Sequence, residues 1–153
     1  PLPQARVADI LQAIALEPDN PAYPQAMGQN IMTRFLSAQS IPNPSLPLAE
    51  QYLRRALELD PANGLTWRMY AQTVSIGTEF FLGGQKWPRL ATQAHARAMQ
   101  LRPHDPQSII AAAQHAFWCE QQGWEGSRQE ALRLLADSME KNPLHWQLSL
   151  LLQ

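Results

Sequence analysis

Ala56-Leu57-Glu58-Leu59-Asp60-Pro61-Ala62-Asn63 holds a helix ending and a helix beginning within eight residues. Alanine, leucine and glutamate favour a helix. Pro61 cannot continue it, because it lacks an N–H and clashes with the preceding turn. Asn63 is then a good N-cap for the next helix. The same punctuation recurs at Ala13 to Pro18, Ala98 to Pro103 and Ser138 to Pro143, placing the prolines 43, 42 and 40 residues apart. A recurrence at that period is the mark of a helical repeat array, in which each helix pair covers its apolar face only by leaning on its neighbours.

Counting back from each proline exposes a common frame. Five residues before it stand Ala13, Ala56, Ala98 and Ser138, all small. Eight before it stand Ile10, Leu53, His95 and Leu135, and twelve before it Arg6, Ala49, Ala91 and Ala131. Leu16, Leu59, Leu101 and Lys141 lie two before it. Small residues at fixed places let helix axes approach closely while large ones fill the space between them.

Between these stops the apolar residues keep helical spacing. Val7, Ile10, Leu11 and Ile14 mark a first helix, and Asp19-Asn20-Pro21 opens a second running to about Ser37. Ser40 to Pro47 reads as a loop, followed by a helix from Leu48 to Leu59. Asn63 caps a helix through Val74 that Phe80-Phe81 can extend at helical spacing, and Gly83-Gly84 breaks the chain before a helix opened by Pro88. Asp105-Pro106 caps one carrying Ile109, Ala113 and Trp118; Leu132 to Met139 forms another, and Trp146 starts one more. No segment alternates long enough to argue a strand. The expectation is an all-α chain of about seven helices.

The frame resembles the tetratricopeptide repeat (TPR), whose signature runs W-x2-L-G-x2-Y, then A-x3-F, then P. Trp67-x2-Tyr70-Ala71-x2-Val74 and Met27-Gly28-x2-Ile31 are similar to its first part; Ala49-x3-Leu53, Ala91-x3-His95 and Ala131-x3-Leu135 to its second. The resemblance implies a right-handed α-α superhelix: a half repeat (1–18), repeats 19–61, 62–103 and 104–143, and the start of another (144–153). A standard unit is about 34 residues; the excess here falls in the turns Ser37 to Pro47, Gly77 to Pro88 and Gln122 to Ser127. HEAT repeats, with periods of about 40–47 residues, are the alternative at the level of fold. The chain stops inside the apolar run Ser149 to Gln153, as expected of a piece excised from a longer protein.

Composition narrows the function. Charged residues are 16% of the chain, the net charge is −1, and no Lys/Arg cluster provides the footprint of a nucleic-acid binder. No apolar run reaches the roughly 20 residues needed to cross a bilayer. The lone Cys119 forbids an internal disulfide framework, leaving cytoplasm and periplasm both open. His115 and Cys119 stand four apart, as metal ligands can, but no third ligand has matching spacing. His95 falls at a core-facing frame position. There is no phosphate loop and no nucleophile elbow, so the chain reads as non-catalytic, with no cofactor.

The TPR resemblance implies a concave groove lined by the first helix of each repeat. Projecting that face gives Gln25, Gln29 and Met32; Leu65, Arg68 and Gln72; and Ile110, Gln114, Phe117 and Trp118. Amides beside aromatics suit an extended peptide or partner protein. Arg68→Ala or Trp118→Ala should then weaken capture and leave the thermal midpoint nearly unchanged. Phe80, Phe81, Leu82 and Trp87 are expected to cover a core edge rather than form an exposed patch. Leu148 to Leu152 offers self-association as a further possibility. The segments 16–23 and 47–57 also resemble TPR tails that follow the membrane spans of bacterial O-antigen ligase and polymerase-like proteins, which implies a periplasmic alternative. A metal-dependent enzyme is the competing class.

Overall fold

In the computed structural model the described residues are 4–37, 45–80 and 86–123, with single helical positions at 129, 132, 133, 136, 137 and 140. Among them lie α1 (Gln4–Leu16), α2 (Ala22–Ser37), α3 (Ser45–Leu59), α4 (Gly64–Glu79), α5 (Lys86–Leu101) and α6 (Pro106–Gln121), and no strand. The described part is all-α. The helix expected at Leu132 to Met139 has helical backbone at its described positions, with an i,i+4 ion pair of 3.1 Å between Arg133 and Asp137. The turn expected at Gln122 to Ser127 is described only at Gln122 and Gly123, and the segments at Phe81 to Gln85 and Lys141 to Gln153 lie outside the described residues.

The stops and starts follow from local chemistry. Asn63 Oδ1 accepts from Thr66 N at 3.1 Å and caps α4. Asp105 Oδ1 accepts from Gln107 N at 3.1 Å and caps α6, with Pro106 as its first residue. Asn20 Oδ1 takes the amide of Ala22 at the start of α2. Trp67 then turns its indole N–H back onto the Pro61 carbonyl at 2.9 Å, tying α4 to the turn it follows.

Two helices begin earlier than their sequence suggests. α3 starts at Ser45 and α5 at Lys86, so Pro47 and Pro88 are each the third helical residue instead of marking the boundary. First-turn N–H groups have no intrahelical partner, so proline is tolerated there. Pro24 occupies the same place in α2. Likewise α4 runs on to Glu79, which puts Gly77 inside a helix and not in the turn after it.

Each helix packs against the one before and the one after it, and the even-numbered helices also touch: α2 with α4, and α4 with α6. The apolar core is strung along this series. One cluster joins Leu53 and Leu57 of α3 to Tyr70, Ala71 and Val74 of α4 and to Trp87, Ala91 and Ala94 of α5. Another joins Met32 of α2 to Leu46 and Ala49 of α3, with Phe35 and Ile76 against it. The frame counted from the prolines is buried where helices face each other: Ala49, Leu53, Ala56, Ala91, His95 and Ala98 are all at most 2% exposed. Two residues before the proline the frame is less covered, and Leu16 is 74% exposed.

Two glycines set how closely the helices approach. A methyl group on Gly28 would sit 2.5 Å from Leu53 Cγ, so α2 and α3 meet there almost backbone to side chain. A methyl on Gly77 would overlap the indole of Trp87, which is 9% exposed. Trp87 thus covers a core edge, as expected of it, whereas Phe80 at the end of α4 is 48% exposed and meets Phe35 edge-on at 5.7 Å.

Gly77→Ala should therefore destabilise the protein. Alanine gains about 1 kcal/mol in helix propensity, but crowding a packed indole costs about 1–3 kcal/mol. We expect urea denaturation to give a net loss; equal or greater stability would mean that the indole does not lie on Gly77.

Candidate functional site

The even helices enclose a cleft of about 500 Å³. From α2 it takes Gln29, Met32, Thr33 and Leu36; from α6, Ala111, Gln114 and His115. α4 forms the middle wall, from Leu65 and Arg68 at one end through Met69 and Gln72 to Ser75, Ile76 and Glu79. His95 of α5 closes the back.

Of the residues projected onto a groove from sequence, Gln29, Met32, Leu65, Arg68, Gln72 and Gln114 line this one cleft. Gln25 does not line it; its side-chain N–H group reaches Met69 Sδ at 4.0 Å. Ile110, Phe117 and Trp118 are half-buried on α6, outside the lining. Sequence reasoning missed Ser75, Glu79, His95 and His115 as wall residues. Ser75 and Glu79 continue the α4 stripe one and two turns beyond Gln72. His95 carried no such signal, because it belongs to the second helix of its pair.

Arg68 is an engaged cation. Its Nη1 donates to Asp105 Oδ2 at 3.1 Å, and the Asp105 side chain is only 8% exposed. Asp105 also caps α6, accepts from Ser108 Oγ at 2.9 Å and stands 3.7 Å from Arg102 Nε. The pair therefore ties α4 to the start of α6. Burial raises the pKa of the Glu79 carboxyl at the far end of the α4 wall.

Behind the cleft lies a cluster of neutral polar groups. His95 Nε2 and Ser75 Oγ share a hydrogen bond of 2.8 Å. His115 Nε2 stands 3.3 Å from the Pro88 carbonyl, which makes it the proton-bearing nitrogen, with Thr92 Oγ1 at 3.2 Å and Cys119 Sγ at 3.5 Å. The two imidazoles are 5.4 Å apart between centroids. Burial, helped by His115, pushes the His95 pKa down to about 3. Burial also lowers His115, against the opposing bond to Pro88.

Ser75 and His95 have the separation of a nucleophile and its base, but not the chemistry. His95 Nδ1 is buried without a partner, so no third group orients the ring. An imidazole with a pKa near 3 is a poor proton acceptor at neutral pH. The Cys119 thiol is buried, and burial raises its pKa, the reverse of what a reactive cysteine needs. Among the described residues no three His, Cys, Asp or Glu side chains are gathered to hold a metal ion, and no helix is long and apolar enough to cross a membrane.

Two measurements follow. Both imidazoles titrate lower in the folded chain than the free value of 6.5, so the stability they lend is full above pH 6.5 and is lost as pH falls below it, down to about 3 for His95. The thermal midpoint should fall between pH 7 and about 5, and less steeply in His95→Gln; an equal slope in both proteins would exclude His95 as a source. Second, Arg68→Ala should lower stability by about 1–2 kcal/mol, between the values for exposed and fully buried pairs. This departs from the thermally silent variant expected from sequence, and an unchanged midpoint would show that the Asp105 contact is not formed.

Comparison with protein-family models, with curated proteins and with solved structures matches no relative to this chain.

Proposed function

We propose that the chain is a non-catalytic helical-repeat module of tetratricopeptide type, a right-handed solenoid that holds a segment of a partner protein in the cleft between α2, α4 and α6. The observation that carries this reading is the division of labour between helices. The odd helices α3 and α5 take little part in the cleft beyond His95, while the even helices touch one another and turn amides, thioethers and aliphatic side chains into it. A site mixing apolar surface with amide and hydroxyl groups suits an extended polypeptide. The low basicity of His95 and the raised thiol pKa of Cys119 support binding over catalysis.

Panning a random heptapeptide phage library on the immobilised chain supplies a probe, which is then titrated into isotope-labelled protein. The expected result is that amide shifts concentrate on cleft residues of α2, α4 and α6, Met69 among them. Shifts confined to the exposed faces of α3 and α5, around Arg54 and Arg97, would contradict the reading, as would a library that yields no binder.

A further inference from the structure

Residues 80–104 hold Lys86, Arg89, Arg97 and Arg102 but none of the thirteen Asp and Glu residues, in a chain whose net charge is −1. These cations form no run in the sequence, yet the fold collects three of them. Lys86, Arg89, Gln93 and Arg97 follow one another at steps of three and four, which puts them on one side of α5. All four are exposed. The opposite side of the helix is buried through Trp87, Ala91, Ala94 and Ala98.

The neighbouring α3 compensates its cations. Arg54 stands 3.3 Å from Glu50, and Arg55 stands 3.4 Å from both Glu58 and Asp19. Lys86, Arg89 and Arg97 form no ion pair among the described residues; Arg97 donates to Gln100 Oε1 at 3.2 Å. Their placement also opposes the helix. The first turn of α5 holds Lys86 and Arg89 and no acid, and its last turn holds no base. A helix dipole favours the reverse arrangement. These charges therefore do nothing for the folding of α5, and a local rule broken without compensation marks a role outside the fold.

The stripe runs about 17 Å from Lys86 to Arg97 at the helical rise, a length that about five residues of extended chain would match. With its apolar side committed to the core, α5 has none to sink into a bilayer. No aromatic ring stands on the stripe for a nucleic-acid base to stack on. Carboxylates suit it better, since guanidinium groups grip them through paired N–H bonds and the Gln93 carboxamide can bond the backbone between. We propose that the exposed face of α5 docks an acidic segment of a partner protein through Lys86, Arg89, Gln93 and Arg97. This surface shares no residue with the cleft between the even helices, so the two stand or fall separately.

Decaglutamate is the probe and decaglutamine its uncharged control, each titrated into the isotope-labelled chain at low salt. Decaglutamate should shift the amides of Lys86, Arg89, Gln93 and Arg97, and decaglutamine should leave them in place. No shift with decaglutamate, or shifts as large around Arg54 and Arg55, would overturn the proposal, the second by showing attraction to any exposed cation. In the double variant Arg89→Gln/Arg97→Gln the affinity should fall about fivefold, as for two exposed ion pairs; an unchanged affinity would remove the stripe as the docking surface. Lys86→Gln should melt at or above the parent temperature, because it takes a cation from the first turn. A lower midpoint would assign that charge to folding and count against a role in docking. A short DNA duplex, or vesicles of phosphatidylglycerol and phosphatidylcholine, form the remaining arms. If either binds through the same residues more tightly than decaglutamate at equal anion concentration, the occupant is not an acidic polypeptide.

Discussion

The close approach of helices through small residues governs this molecule. Gly28 admits Leu53, Gly77 admits the Trp87 indole, and Ala49, Ala56, Ala91 and Ala98 are almost fully buried where neighbours meet. An alanine seam has little apolar surface of its own, so a helix pair built on it cannot bury enough to stand alone. Coverage has to come from the next pair. That is why the Leu53–Val74–Trp87 cluster draws on three helices, and why even helices come to lie against each other.

The cleft is a consequence of this packing. With large side chains committed to the faces between consecutive helices, the remaining face of α2, α4 and α6 carries amides and hydroxyls at its rim and neutral imidazoles behind. Arg68 and Asp105 connect the two levels. One carboxylate caps α6, receives Ser108 and holds the α4 guanidinium, so the start of α6 is locked onto the body of α4. The lining thus mixes amides and hydroxyls with thioethers and aliphatic side chains, and its guanidinium is paired.

Much of the fold was legible in the residues. Proline stops and the Asn63 and Asp105 caps act within one turn of chain, and they lie where the reading put them. The early start of α3 was hidden because Pro47 looks like a boundary, although a first-turn proline forfeits no helical bond. Gly77 looked like part of a turn; its place inside α4 depends on Trp87 filling the space of its missing side chain. Projecting the first helix of each repeat brought Gln29, Arg68, Gln72 and Gln114 to one cleft, yet placed Gln25, Phe117 and Trp118 there as well. Helical periodicity fixes a face only to within a residue or so, and the back wall at His95 comes from a helix outside that projection. The engagement of Arg68 was invisible, since its partner sits 37 residues away at the cap of another helix.

The account stands on α2, α4 and α6 lying side by side with one frame position aligned. A nitroxide attached at position 72, in a chain whose Cys119 is replaced by alanine, reads that arrangement through paramagnetic broadening. The side-chain amide resonances of both Gln29 and Gln114 should broaden together. If only one of them broadens, or neither does, the helices are not stacked in that order and the shared cleft does not exist.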